Sequence, residues 1–380
     1  MNWKKLLYFL WSIAFLGGLA ACSSGSTETA VSQNTAEPLP TEIPTEAPTE
    51  TAVPTNTAEP TATATATAPP TETPSPTATA SPTPEPTAVQ EPTVTPTPEP
   101  QFIELFAIEG SPDPFKDPYG IAVDSQDNLF VFDAGNDRLL KFDSEGTLLQ
   151  IWDDKGSGDG QFNSLGFGGI AIDANDNLFV IDNGNFRIQK FDSTGNYVTQ
   201  WGEEGLGDGE FKRAIGIAID SAGNVYIADD GRPQIQVFDN NGNFLRQFGS
   251  RGSGDGAFQH PTGIAVDAAG NVYVADYENK RVQKFDNTGN FLAGWTMSVN
   301  SAGTPEGIGI DANGRLYITD YDSGRVEIFT TDGDYITNWT GGENGRFRRP
   351  VAIAFDSMGN VYVSNQAGNN VRKYTPPPLP

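Results

Sequence analysis

Few side chains in this sequence have the chemistry to make or break bonds. Among 380 residues there is one histidine, His260, and one cysteine, Cys22. A zinc centre built on imidazole or thiolate needs several such ligands, so these counts remove it. A Ser-His-acid triad would need His260 as its base, and no Gly-x-Ser-x-Gly elbow leads into a helix. His260 therefore reads as an ordinary loop residue. Glu306 is the one carboxylate at its place in a recurring pattern. The matching places hold Tyr119, Gly168, Ile215, Thr262 and Val351, too few oxygen ligands for a cation. The segment Gly158-Asp159-Gly160-Gln161-Phe162 and its echoes at 207–211 and 254–258 lack a Lys and a dense set of oxygens, so they read as turns anchored by Phe. No metal, cofactor or catalytic residue is expected, and the chain reads as a non-enzyme.

The elements that must carry these residues follow from a period. Gly120-Ile-Ala-Val-Asp124 recurs as 169–173, 216–220, 263–267, 307–311 and, altered, 352–356, with closing Asp residues 49, 47, 47, 44 and 45 apart. Nine residues later come Asp133, Asp182, Asp229, Asp276, Asp320 and Asn365. Five further on come Arg138, Arg187, Gln234, Arg281, Arg325 and Asn370, and an aromatic follows four later. Between these anchors run short alternating segments rich in β-branched and aromatic residues and bounded by Asp, Asn and Gly, which predict four antiparallel strands per repeat. A period in the forties predicts blades around an axis.

Pro-x-Gly-Ile-Ala-Val-Asp, Asn-Val-Tyr-Val-Ala-Asp and Asn-x-Arg-Val-Gln-Lys-Phe-Asp together resemble the NHL repeat, most closely at Pro261 to Asp286. The resemblance implies an all-β, six-bladed β-propeller over 101–380. The sixth repeat stops after Tyr374 without the outer strand that elsewhere carries Trp152, Trp201, Phe248, Trp295 or Trp339, so the N-terminal segment 102–108 is expected to complete the last blade, with Phe106 as its aromatic. The resemblance to gluconolactonase-like propellers further implies a divalent ion over the channel, and a metal-dependent lactonase using Glu306 is the alternative function.

In such a blade the second-to-third turns and the blade links share one face. The recurring Asp and Arg there read as structural. The side chains that vary on this face are the candidate ligand-binding residues: Tyr119, Phe167, Phe186, Arg213, Arg232, His260, Tyr277, Lys280, Tyr321, Arg346 and Arg348. Aromatics and Arg dominate binding hot spots.

The N-terminal third differs in kind. Lys4, Lys5 and the apolar run to Ala20 resemble a secretory leader, and Leu19-Ala20-Ala21-Cys22 resembles a lipobox, which makes 1–22 a lipoprotein signal segment and implies lipidation of Cys22. Residues 23–100 repeat Thr, Pro, Ala and Glu without Lys or Arg and are expected to form a disordered stalk. Acids outnumber bases 49 to 23, which argues against nucleic acid. The expectation is a monomeric, exported module tethered to the outer face of the bacterial membrane. Its propeller face would bind an extracellular protein, peptide or glycan.

Overall fold

The computed structural model describes residues 102–109, 113–163, 166–297, 303–342 and 345–379; the leader, Cys22 and the stalk lie outside them. Each repeat forms one four-stranded antiparallel sheet, and there are six. Blade 1 runs through Pro118–Val123, Leu129–Asp133, Arg138–Phe142 and Leu148–Trp152 from axis to rim. Second strands such as Val272–Asp276 are buried along their whole length, because each blade is covered on both faces by its neighbours. That is why their sequences are almost continuously apolar. The closing Asp of each inner strand makes the turn that follows it. Asp267, for example, accepts the Ala269 and Asn271 backbone N–H groups (2.9 and 2.8 Å) and the Asn271 side-chain amide (2.8 Å).

Inner strands crowd around the axis at their glycines. A Cβ on Gly216 would stand 2.1 Å from the Thr262 carbonyl oxygen, and one on Gly263 would stand 2.3 Å from that of Glu306. Only a residue without a side chain permits this approach.

The ring closes through Ile103–Ile108, which pairs antiparallel with Asn370–Thr375 from Ile103 opposite Thr375 to Ile108 opposite Val371. One detail departs from expectation. Trp152 faces Leu139 and Trp201 faces Ile188, and the corresponding partner of Val371 is Ile108, while Phe106 lies opposite Lys373. Phe106 still stands with Ile108 beside Gly146 of blade 1, the turn glycine that Trp152, Trp201, Phe248 and Trp295 meet in their neighbours, and Phe102 adds a ring stacked on Trp339 of blade 5 at 3.7 Å. Across the seam, Ser357 donates its N–H and hydroxyl to the Asp127 carboxylate, both at 2.7 Å.

Candidate functional site

The recurring Asp and Arg of the second-to-third turns hold the loops that lead into each inner strand. Asp229 accepts the Lys212 and Arg213 N–H groups (3.0 and 2.8 Å), Asp276 those of Gln259 and His260 (3.0 and 3.3 Å), and Asp320 that of Thr304 (3.1 Å). Arg187 forks onto Asp182 (2.9 Å) and onto the carbonyls of Ser157, Gly158 and Gln161. These side chains are spent on structure, and they fix what stands beside them.

At the mouth of the axial channel, Tyr119 of blade 1 donates its hydroxyl to the Glu306 carboxylate of blade 5. The channel encloses about 110 Å³. Both side chains are buried. Thr262 Oγ1 donates to the Glu306 carbonyl at 3.0 Å, Ser364 Oγ donates to the Tyr119 carbonyl at 2.8 Å, and the Gly307 N–H donates to Thr319 Oγ1 at 2.7 Å. Thr319 and Ser364 stand where blades 1 to 4 have Phe132, Ile181, Ala228 and Ala275. At this one position the second strands thus turn polar only in the two blades that support this pair. Burial pushes the Glu306 carboxyl up to about 7, against the opposing pull of the Tyr119 hydrogen bond and the nearby His260. Burial, followed by the Glu306 charge, raises the Tyr119 phenol well above its ordinary value. A carboxyl that titrates near neutrality is suited to proton transfer.

A rim of side chains surrounds the pair. His260 Nε2 lies 3.1 Å from Asp230 Oδ1, and Arg213 pairs with the other oxygen of Asp230. The imidazole meets Tyr277 edge-on at 5.3 Å, Tyr277 meets Tyr321 at 6.1 Å, and the Tyr321 hydroxyl donates to Gln366 Oε1 at 2.9 Å. Arg349 lies over the Tyr321 ring at 5.3 Å. On the opposite side Phe167, half exposed, packs against Tyr119 at 5.5 Å. Burial lowers the His260 pKa, and it also lifts the Tyr277 phenol to about 12.

Of the eleven expected residues, Tyr119, Phe167, Arg213, His260, Tyr277 and Tyr321 come together here. The other five do not join the mouth's network of contacts. Phe186 and Lys280 occupy the left-handed residue that ends their turns (φ 53° and 56°). Arg232 donates to the Gly207 carbonyl at 3.1 Å, in a blade link. Arg346 and Arg348 are exposed on the loop into blade 6, and it is Arg349, not anticipated, that reaches Tyr321. Asp230 and Gln366 were also missed. Both follow directly on the recurring Asp or Asn, a place that holds Ala134, Asn183, Asp230, Tyr277, Tyr321 and Gln366 in turn, so the signal lay one residue beyond the motif.

The divalent ion implied by the resemblance does not fit these residues. The channel offers the Glu306 carboxylate, already engaged by Tyr119, and a threonine hydroxyl that points to a carbonyl, while the rim's Asp230 is taken up by Arg213 and His260. Among the described residues no three His, Cys, Asp or Glu side chains stand close enough to share an ion.

The family model of the NHL repeat matches residues 168–191 and 258–285, the third strand and turns of blades 2 and 4 included. The chain carries NHL repeats and folds as a six-bladed propeller. No curated protein matches it. Among solved structures, this propeller is similar to a streptogramin B lyase at 14% identity, over 73% of this chain and 97% of that one, with a TM-score of 0.53. It is also similar to a virginiamycin B lyase from Staphylococcus aureus (14%, 74% and 89%, TM-score 0.51) and to a gluconolactonase from Xanthomonas campestris (16%, 73% and 98%, TM-score 0.53). At such identities the likeness is one of fold. It still corrects the expectation of a non-enzyme. Propellers that superpose on nearly all of their own length with this one are enzymes by name, so the scarcity of histidine did not justify excluding catalysis.

Proposed function

We propose that the channel mouth is an acid–base active site that opens a small cyclic ester. The observation that carries this reading is the buried Tyr119–Glu306 pair, whose carboxyl holds its proton to about pH 7. A protonated Glu306 can donate to the alkoxide that leaves when a lactone ring opens, and Tyr119 orients the carboxyl for that transfer. General acid catalysis of this kind contributes about 10²- to 10⁴-fold. The gluconolactonase among the neighbours supports a lactone as the substrate class. The small mouth favours such a substrate over a protein, peptide or glycan partner. The leader and the lipobox-like segment ending at Cys22 support placing this activity outside the cytoplasm on a membrane tether. The test is proton release by the full-length protein from a panel of five- and six-membered lactones. Turnover that falls about a hundredfold or more in Glu306→Gln is expected. Failure to open any lactone in the panel would sink the reading.

A further inference from the structure

His260 is the only imidazole in the chain, and its surroundings fix it closely. Its backbone N–H donates to Asp276, its carbonyl accepts the Tyr277 N–H at 3.0 Å, and its ring edge rests on Tyr277. Its Nε2 faces a carboxylate that belongs to a different blade. Asp230 is almost fully buried, and it is the only acid among the six residues that follow the recurring Asp or Asn.

A buried carboxylate is costly unless its oxygens are met by donors. Asp230 meets two: Arg213 at one oxygen and His260 at the other. If the pair with Arg213 were only a clamp between loop and turn, the second oxygen would have no reason to face the single histidine of the chain, whose ring lies within electrostatic reach of Glu306. A carboxylate oxygen 3.1 Å from a bare ring nitrogen would repel it, so the contact favours hydrogen on Nε2 and leaves Nδ1 as the ring's acceptor. The charged groups that act on the ring are Glu306, Arg213, Glu278 and Asp276, besides Asp230 itself. Arg213 offsets Asp230, and burial favours the neutral ring.

We propose that Asp230 is the positioning residue for a proton-accepting His260, holding the Nε2–H tautomer so that Nδ1 serves as the base opposite Glu306. This rests on reading the mouth as an acid–base site. In the ring opening, a water oxygen bonds to the ester carbonyl carbon while its proton passes to Nδ1. The ring C–O bond breaks, and the departing oxygen takes the Glu306 proton. The imidazolium then returns its proton to the Glu306 carboxylate, directly or through solvent. Base and acid come from neighbouring blades, 4 and 5.

Nitrogen NMR of the full-length protein tests the tautomer without any variant, since the single histidine assigns itself. We expect one neutral form with hydrogen on Nε2, and in Asp230→Asn a loss of that preference together with a lower midpoint of titration. On the lactone that turns over, Asp230→Asn should lower kcat tenfold or more with KM little changed. His260→Ala should lower it further, and the double variant should match His260→Ala. A wild-type ring carrying its hydrogen on Nδ1, or divided between both nitrogens, overturns the assignment whatever the activity. Wild-type turnover in His260→Ala overturns it too, while leaving the role of Glu306 standing. Absence of turnover in the wild type beside an Asp230-dependent Nε2–H ring would fail the lactone reading and with it the role of His260 as a base.

Discussion

Tyr119 and Glu306 are 187 residues apart in the chain and share a hydrogen bond across the channel mouth. Neither belongs to the repeating motif, and each occupies the place that another blade fills with Gly168, Ile215, Thr262 or Val351. Closing the ring is what brings them together, since blade 6 must sit between blades 5 and 1.

The pair makes stability depend on pH. Burial lifts Glu306 from 4.5 to about 7, so between those values the folded chain keeps a proton that the unfolded chain has released. The contribution is complete below 4.5 and is lost as pH rises through 7, amounting to about 3 kcal/mol at about 1.4 kcal/mol per unit. His260, whose pKa is lowered, works in the opposite direction close to its ordinary 6.5. Urea unfolding at pH 5 and pH 8 should show the wild type losing more stability on going to pH 8 than Glu306→Gln; equal losses would refute the buried proton.

Gly263→Ala should be far more damaging than Gly254→Ala. The first places a methyl 2.3 Å from one backbone oxygen and 2.8 Å from the Gly307 Cα, while the second meets nothing within 4 Å. Costs of about 3 kcal/mol or more against about 0.5 kcal/mol or less are expected from denaturant midpoints.

Gln189 is buried and holds two consecutive residues of one loop. It accepts the Gly160 N–H at 2.9 Å and donates to the Gln161 carbonyl at 2.8 Å. Gln189→Leu should cost about 1 to 3 kcal/mol by leaving the Gly160 N–H unpaired while the Gln161 carbonyl keeps Arg187, and it should expose residues 156–162 to proteolysis before the rest of the propeller. Cleavage at the wild-type rate would show that the loop holds itself.

Phe102→Ala removes the ring stacked on Trp339 and should lower stability by about 3 kcal/mol. Phe167→Ala, at a half-exposed ring beside Tyr119, should leave the melting temperature nearly unchanged while weakening any ligand at the mouth. The reverse ranking would contradict both placements.

The blade count, the strand pattern and the closing strand were legible in the chain because each depends on spacings that recur. The roles of Asp133 and Arg138 were legible for the same reason. Gln189, Gln236 and Gln283 were not recognised, although they stand only in the blades entered through Gly-Asp-Gly-x-Phe loops, whose glycine N–H groups they accept at 2.9 Å. The site was legible only in part, because its residues are departures from the motif. A departure shows where a blade is unusual without showing what it faces. Asp230 looks like a duplicated turn acid until His260 of the next blade is placed 3.1 Å away. Phe186 and Lys280 vary as much as Tyr277 does, and backbone conformation alone separates them from the mouth.

The strand Ile103–Ile108 emerges first among the described elements and finds its partner, Asn370–Thr375, last. A nascent chain therefore carries an unmatched strand edge through almost the whole of its synthesis, and no intermediate length can latch. For as long as that edge waits the sheet stays open, and the finished toroid appears only when the final blade is made.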